Sequence, residues 1–337
     1  MTAQLPTPPP LPGVTWRPPQ KDDAAVIAIL QDTCFETDGG YREVESEILT
    51  RWESDACNTE TDVLIGMDSA GAVIASTWSI VPTVAETKWR AFNYDYVHPD
   101  YRTTETLEFV LAWWETRCRQ RFATRSDGLD QWLCRDAYDW QSDKIAFLEA
   151  HGYRPVRYFD ELLRDLADSI DDHPLPGGLQ VRTVESVAFD ETRVVHNQAF
   201  SDHWGSQPYS ERGWAVYDSE FVLKGASFVV YDDGVPVAYL LAAAFPHDFE
   251  DRGHSEAWIE GLGTVRSHRE RGIASALVTM AMREFVSSGM EYAILGVDSE
   301  NPTGANGLYE SLGFVHGRRS VSYNKQVRGT ESGGQDG

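Results

Sequence analysis

The segment Arg269-Glu270-Arg271-Gly272-Ile273-Ala274-Ser275 joins residue types that suit a pyrophosphate. It follows an expected strand, Ala257 to Val265, and opens an expected helix, Ile273 to Val286. A loop with Gly at its centre leaves backbone N–H groups free at a helix N-terminus, and the positive end of the helix dipole adds to them. The two arginines bring charge, and Ser275 brings a hydroxyl donor. A Gly at such a junction also arises from packing alone, so the downstream pattern matters. Val297-Asp298-Ser299-Glu300-Asn301-Pro302 follows, and then Gly307-Leu308-Tyr309-Glu310-Ser311-Leu312-Gly313-Phe314.

R-x-R-G-x-A after a strand, a strand ending in Asp/Asn, and then LYExLGF resemble the GNAT acetyltransferase superfamily over residues 179–327. The first element is similar to the family's coenzyme A loop, and the last to its closing helix–strand unit. The resemblance implies acetyl-CoA as co-substrate, bound through Arg269, Glu270, Arg271, Gly272, Ile273, Ala274 and Ser275. In the family the preceding strand splays from its neighbour and pairs with the pantetheine arm, which falls here to Leu262, Gly263 and Thr264. Gly261 and Gly263 within one strand suit a bulge or a close backbone approach, with packing as the other explanation. Asn301 resembles the family's pantetheine-binding Asn, with Asn306 as second choice.

The same resemblance assigns the chemistry. Only a neutral amine attacks the thioester, so one group takes a proton from it while another returns one to the departing thiolate. Glu260 is the candidate base. Glu256 shares its face by strand alternation and is either an alternative base or an anchor for a cationic group. Mycothiol synthase-like proteins place their acidic residue nearer Trp258, a departure in this chain. Tyr309 is the candidate acid, with a phenol that ordinarily titrates near pH 10. Asp202, His203 and Trp204 fall where the family builds its acceptor pocket, and His203 is a further candidate base.

The chain reads as two copies of one plan. Val14–Pro18 leads into a helix from Ala24 to Phe35, and Leu179–Thr183 leads into one from Phe189 to Phe200. Each copy then has a hairpin signal, at Asp68–Gly71 and at Asp232–Gly234. Each ends with a strand, a helix, a Gly-aromatic pair and a last strand. The expected fold is α/β, a mixed sheet in two tandem GNAT-like domains similar to the two-domain, mycothiol synthase-like acetyltransferases of actinobacteria. Its expected parts are a disordered Pro-rich N-terminus (1–11), a degenerate domain (12–166), a linker (167–178), a catalytic domain (179–327) and a disordered tail (328–337). Aligned by eye, Arg102 matches Arg269, Glu105 matches Gly272, Leu148 matches Tyr309 and Asn93 matches Glu260. The first copy thus lacks the coenzyme loop and both proton-transfer groups.

Composition narrows the partners. A net charge of −24 over 337 residues argues against nucleic acid and anionic membranes, and suits either a cationic acceptor or simple solubility. No apolar run approaches the ~20 residues of a membrane span. The N-terminus carries no export pattern, so a cytoplasmic location is expected. The 4 Cys lie at unrelated spacings in the first half, which fits reduced thiols and no metal site. The expected activity is acetyl transfer from acetyl-CoA to a primary amine of a small molecule, by direct attack in a ternary complex. No Cys lies in 179–327 to serve as nucleophile. The rival is a non-catalytic coenzyme A-binding sensor or interaction protein on a GNAT scaffold. A dinucleotide-binding oxidoreductase does not fit, because the loop has one Gly where that fingerprint needs three.

Overall fold

The Asp68–Gly71 and Asp233-Gly234 turns each close a hairpin, as the sequence predicts. Asp68 Oδ1 accepts from the Ala70 and Ala72 amides at 2.9 Å each, and Gly71 takes φ 87°. Asp233 and Gly234 take φ 47° and 81°, the two positive values that a two-residue hairpin turn requires. In the computed structural model, which describes residues 4–300 and 304–328, the chain divides into two compact units. One is Met1–Pro155 with Tyr323–Gly337, and the other is Val156–Ser322.

In the first unit, β1 (Thr15–Arg17), β2 (Val63–Met67), β3 (Val73–Ile80), β4 (Lys88–Val97) and β5 (Asp130–Tyr138) lie in sequence order. The first three pairings are antiparallel and β4–β5 is parallel. β6 (Arg154–Asp165) precedes β7 (Gln180–Thr183), β8 (Phe228–Asp232), β9 (Val235–Ala243), β10 (Glu256–Thr264), β11 (Tyr292–Asp298) and β12 (Val315–Arg328). In the second unit β7, β8, β9, β10 and β11 repeat the pattern, with three antiparallel pairs and a parallel β10–β11. The internal repeat is therefore real, and each copy is a mixed sheet.

A helix follows the fourth strand of each copy. In Ile273–Ser287 the residues Ile273, Leu277, Ala281 and Phe285 recur every four positions and are at most 2% exposed. In Thr104–Phe122 the matching stripe is Val110, Trp114 and Cys118. Burying each large member of such a stripe contributes about 1.5–3 kcal/mol relative to leaving it in water. The closing turns also match. Tyr153 N donates to Leu148 O and Phe314 N to Tyr309 O, at 3.1 and 3.0 Å, over Gly152 (φ 85°) and Gly313 (φ 84°).

The compact units depart from the boundaries read in the sequence. Val156–Asp165 was expected in the first domain, but its strand pairs with β11, from Tyr292↔Asp165 to Asp298↔Phe159. Leu162 and Leu166 join the second unit's core. At the other end, residues from Tyr323 onward belong to the first unit, where Lys325 bonds both oxygens of Glu115 at 2.8 and 3.1 Å. Each copy's last strand is thus divided between the units. The segment expected as a linker is anchored, since Arg164 donates to Ser169 O at 2.8 Å and Ile170 and Leu175 pack on the second unit's core. Residues 4–11 form no helix or strand, and Pro9 among them is buried. Asn301, residues 1–3 and the tail from 329 lie outside the described residues. Among those described, no helix is long and apolar enough to cross a membrane.

Candidate active site

Three elements of the second unit carry the residues that the sequence singles out. After β10 the chain makes a short turn at Arg266–His268. Arg269 is extended (φ −65°, ψ 163°), Glu270 takes φ 60° and Gly272 takes φ 82°, ψ 5°. Arg271 is not among the residues with positive φ, so the sign of φ alternates from 269 to 272. Such alternation turns successive N–H groups toward one concave face, which suits an anion. Among the described residues, the amides from Glu270 to Ser275 donate to nothing. A Cβ placed on Gly272 would meet no atom within 4 Å. That Gly serves backbone conformation and leaves the loop open, while the 2% exposed Ile273 ties the helix start to the core.

Arg269 does something other than the sequence reading assigned. Its Nη1 and Nη2 bond the two Asp202 oxygens at 2.7 Å each, Nη2 also bonds Ala199 O, and Nε bonds Thr264 O at 3.1 Å. The guanidinium holds the Asp202 carboxyl below its usual range. Arg269 and Asp202 are spent on each other, as a strut between the loop and the segment after helix Asp190–Ala199. The first unit has the same strut. Arg102 bonds both Asp38 oxygens at 2.7 Å and Val97 O at 2.8 Å. What differs is the connection onward. The helix there starts two residues after the arginine, and Thr103 caps it by accepting from Thr106 N at 3.2 Å. Thr103, not Glu105, stands at the cap position of Gly272, because the first copy's loop is shorter. The anion-binding turn is missing outright.

The second element is β10. It pairs in parallel with β11 only from Glu256↔Tyr292 to Ile259↔Leu295, while β11 runs on to Asp298 beside β6. From Glu260 on, β10 keeps only β9, and the register slips between Ile259 and Gly261. Glu260 is the extra residue of that bulge. In β4, by contrast, Asn93 pairs with Ser79 without a slip. Glu260 is exposed, yet its carboxyl is crowded by protein, and the lost hydration pushes it up to about 7. No described group bonds to it or forms an ion pair with it. Leu262, Gly263 and Thr264 lie on the edge released from β11. Gly261 and Gly263 have a packing role as well. A Cβ on Gly261 would sit 2.8 Å from Tyr239 Oη, and one on Gly263 would sit 2.7 Å from Tyr239 Cε1.

The third element is the helix Ala305–Ser311. Tyr309 is 8% exposed, and burial lifts its phenol to about 12, so it stays protonated over the whole physiological range. Asn306 donates from Nδ2 to Ser299 O at 3.3 Å, while its buried Oδ1 has no donor among the described residues. An orphaned buried acceptor suits an amide donor such as that of a pantetheine arm. It favours Asn306 for the role first given to Asn301, on which the structure is silent.

The acceptor candidates separate. His203 lies against Phe200, with ring centroids 5.3 Å apart, and its Nδ1 is 3.2 Å from Trp204 O. The Trp204 ring lies under the Arg157 guanidinium at 5.0 Å. Arg157 in turn pairs with Asp298 and Glu300. Glu256 is 2% exposed and saturated, receiving Trp258 Nε1 at 2.9 Å, facing His254 Nε2 at 2.9 Å and pairing with Arg252 at 3.2 Å. A buried carboxylate held by three partners is fixed in place as an anchor and is poorly presented to a substrate as the alternative base. Two residues escaped the sequence reading, Tyr239 and His196, whose Nδ1 lies 2.6 Å from Tyr239 Oη. The one trace of them in the sequence was the pair of strand glycines. Among the described residues, no group of three or more His, Cys, Asp or Glu could hold a metal ion.

The model of the acetyltransferase (GNAT) family matches residues 189–314. The N-alpha-acetyltransferase MAK3 of Arabidopsis thaliana is 30% identical over 118 residues, 35% of this chain and 58% of that protein. A mycothiol acetyltransferase of Salinispora tropica is 28% identical over 176 residues, 51% of this chain and 56% of that one. The chain thus spans somewhat more than half the length of these two relatives. A tandem GNAT protein from the clavulanic acid biosynthesis pathway superposes with TM-score 0.66 at 15% identity, over 94% of this chain and 100% of its own, a likeness of fold. Residues 189–314 thus carry the signature of the acetyltransferase (GNAT) family, and the chain as a whole resembles the mycothiol acetyltransferases in sequence and a tandem GNAT protein in fold.

Proposed function

We propose that the second unit transfers an acetyl group from acetyl-CoA to a primary amine of a small molecule. The observation that carries this reading is the run of unpartnered amides from Glu270 to Ser275 at the start of helix Ile273–Ser287. They offer a pyrophosphate a ring of donors and the positive end of a helix dipole. The orphaned Asn306 Oδ1 and the released edge of Leu262, Gly263 and Thr264 offer the pantetheine arm polar partners further in.

The chemistry follows from two groups with displaced titrations. Glu260 at about 7 is half ionised near neutral pH and takes the proton as the amine nitrogen bonds to the thioester carbon. A donor on the β10 edge steadies the carbonyl oxygen as it gains charge. The carbon–sulfur bond then breaks, and Tyr309, held protonated, gives its proton to the thiolate. The attack is direct, since all 4 Cys precede residue 135. His203 and Trp204 stand as acceptor-facing groups. Arg269 and Asp202 serve by fixing the loop, and Glu256 by fixing the start of β10.

The test is thermal stabilisation of the full chain by acetyl-CoA, followed by coenzyme A thiol release over a panel of amines. Ligand at about 100 times its Kd adds about 2.7 kcal/mol to the folded state, a readily measured rise in Tm. No rise in Tm at millimolar acetyl-CoA would sink the proposal. A rise without thiol release for any amine would favour the non-catalytic sensor.

A further inference from the structure

Tyr239 sits on β9 opposite Gly263, fully buried, and its ring lies along the backbone of β10. A side chain on Gly263 would meet Cε1 at 2.7 Å, and one on Gly261 would meet Oη at 2.8 Å and Cε2 at 3.1 Å. The ring therefore reaches from its register partner to the residue just past the bulge. It is tethered at its far end, where Oη lies 2.6 Å from His196 Nδ1. His196 is itself clamped, stacked on Phe200 at 4.4 Å and 15° and packed on Trp214 at 4.5 Å. Trp214 is pinned in turn by a 2.9 Å bond from Nε1 to Thr192 Oγ1.

We propose that Tyr239, tethered by His196, is a positioning residue whose ring sets the β10 bulge and so places Glu260. The inference rests on the reading of Glu260 as the base. A phenylalanine ring would fill most of the same space and still pass Gly261, but only the hydroxyl reaches the imidazole and holds the ring in that place. Burial drives the imidazole down to about 4 and the phenol well above its usual range. Both groups are therefore neutral at working pH, and the phenol donates to Nδ1. The titratable groups that act on the pair are Tyr209 and Tyr309 on the phenol and His203 on the imidazole, so no carboxylate or guanidinium competes for the tether. The tether holds unchanged across the range in which Glu260 titrates.

The experiment is a 13C NMR titration of the Glu260 carboxyl in the full-length protein without ligand, with the signal assigned by its loss in Glu260→Gln. The native midpoint is expected at about 7. In Tyr239→Phe the ring loses its tether and the bulge relaxes. The midpoint should then fall by about one unit or more toward the ordinary glutamate value. The amide shifts of Ile259 to Gly261 should move with it. Gly261→Ala, which presses on the phenol from the other side, should do the same with the tyrosine intact, and serves if Tyr239→Phe fails to fold. An unchanged midpoint and unchanged amide shifts in a folded variant would overturn the proposal. Failure of the base reading would appear elsewhere, as native turnover by Glu260→Gln, and the amide-shift comparison would still stand.

Discussion

Gly272 and Gly263 lie close together in sequence, yet the structure requires each for a different reason, and alanine separates the two. At Gly272 the backbone is left-handed (φ 82°, ψ 5°) and a Cβ would meet nothing within 4 Å. Alanine there bears the left-handed strain of about 1–2 kcal/mol and recovers ~0.4–1 kcal/mol through the less flexible unfolded chain. The net cost is about 1 kcal/mol. At Gly263 no positive φ is involved, but the new Cβ would lie 2.7 Å from Tyr239 Cε1 and 3.0 Å from both Ala199 Cβ and Phe200 Cε2. All three are buried or packed against the core, so the strain has no outlet, and overpacking costs about 1–3 kcal/mol before the same unfolded-chain recovery, with the 2.7 Å contact placing it toward the upper end. Urea unfolding should therefore show Gly263→Ala as the less stable variant. Calorimetry with acetyl-CoA should rank their affinities the other way, with Gly272→Ala losing about tenfold or more, because its methyl enters the open face of the pyrophosphate loop. The reasoning is refuted if Gly272→Ala binds acetyl-CoA like the native protein, or if it is the less stable of the two.

Two further outcomes are expected. Glu260 must be ionised to accept a proton and titrates at about 7, so kcat/KM should rise with pH and level off above about 8, with about a tenth of the plateau at pH 6. Glu260→Gln should lower kcat by about 10²–10⁴-fold and abolish that limb, whereas Tyr309, protonated to about 12, should add no alkaline limb below about pH 10. A native profile flat from pH 5.5 to 8.5 would contradict the assignment. Arg102→Ala and Arg269→Ala remove matching, partly exposed struts and should each cost about 1–2 kcal/mol in unfolding experiments. Only Arg269→Ala should weaken acetyl-CoA binding, and an equal loss from Arg102→Ala would place a second coenzyme site in the first unit.

The repeated plan was legible because its signals are local. Hairpin turns, helix periodicity and the Gly-aromatic closure are each written within a few residues, and the pairing of Leu148 with Tyr309 and of Asn93 with Glu260 came from counting between them. The open turn from Arg269 to Gly272, the candidate coenzyme loop, was legible for the same reason. Partnerships across the chain were not. Arg269 and Asp202 stand 67 residues apart, and nothing near either residue signals that the charges cancel. Glu256 and Glu260 look alike in sequence, yet one is saturated by Arg252, His254 and Trp258 while the other is left bare by a bulge. The match of Glu105 to Gly272 failed because it assumed equal loop lengths. The ownership of β6 was hidden because a strand's sequence records its alternation and not its neighbour.

The division of β6 and β12 between the units bears on how such a chain is inherited. Among the described residues, the first repeat has no turn like Arg269–Gly272, no bulge in β4 and a leucine where Tyr309 stands in the second. It nevertheless provides Val156–Asp165, the strand that completes the edge of β11 behind the candidate site. A gene shortened to the second repeat would encode β7 to β11 without the strand that borders β11. The first repeat thus has a structural task in the second unit that does not depend on any chemistry of its own.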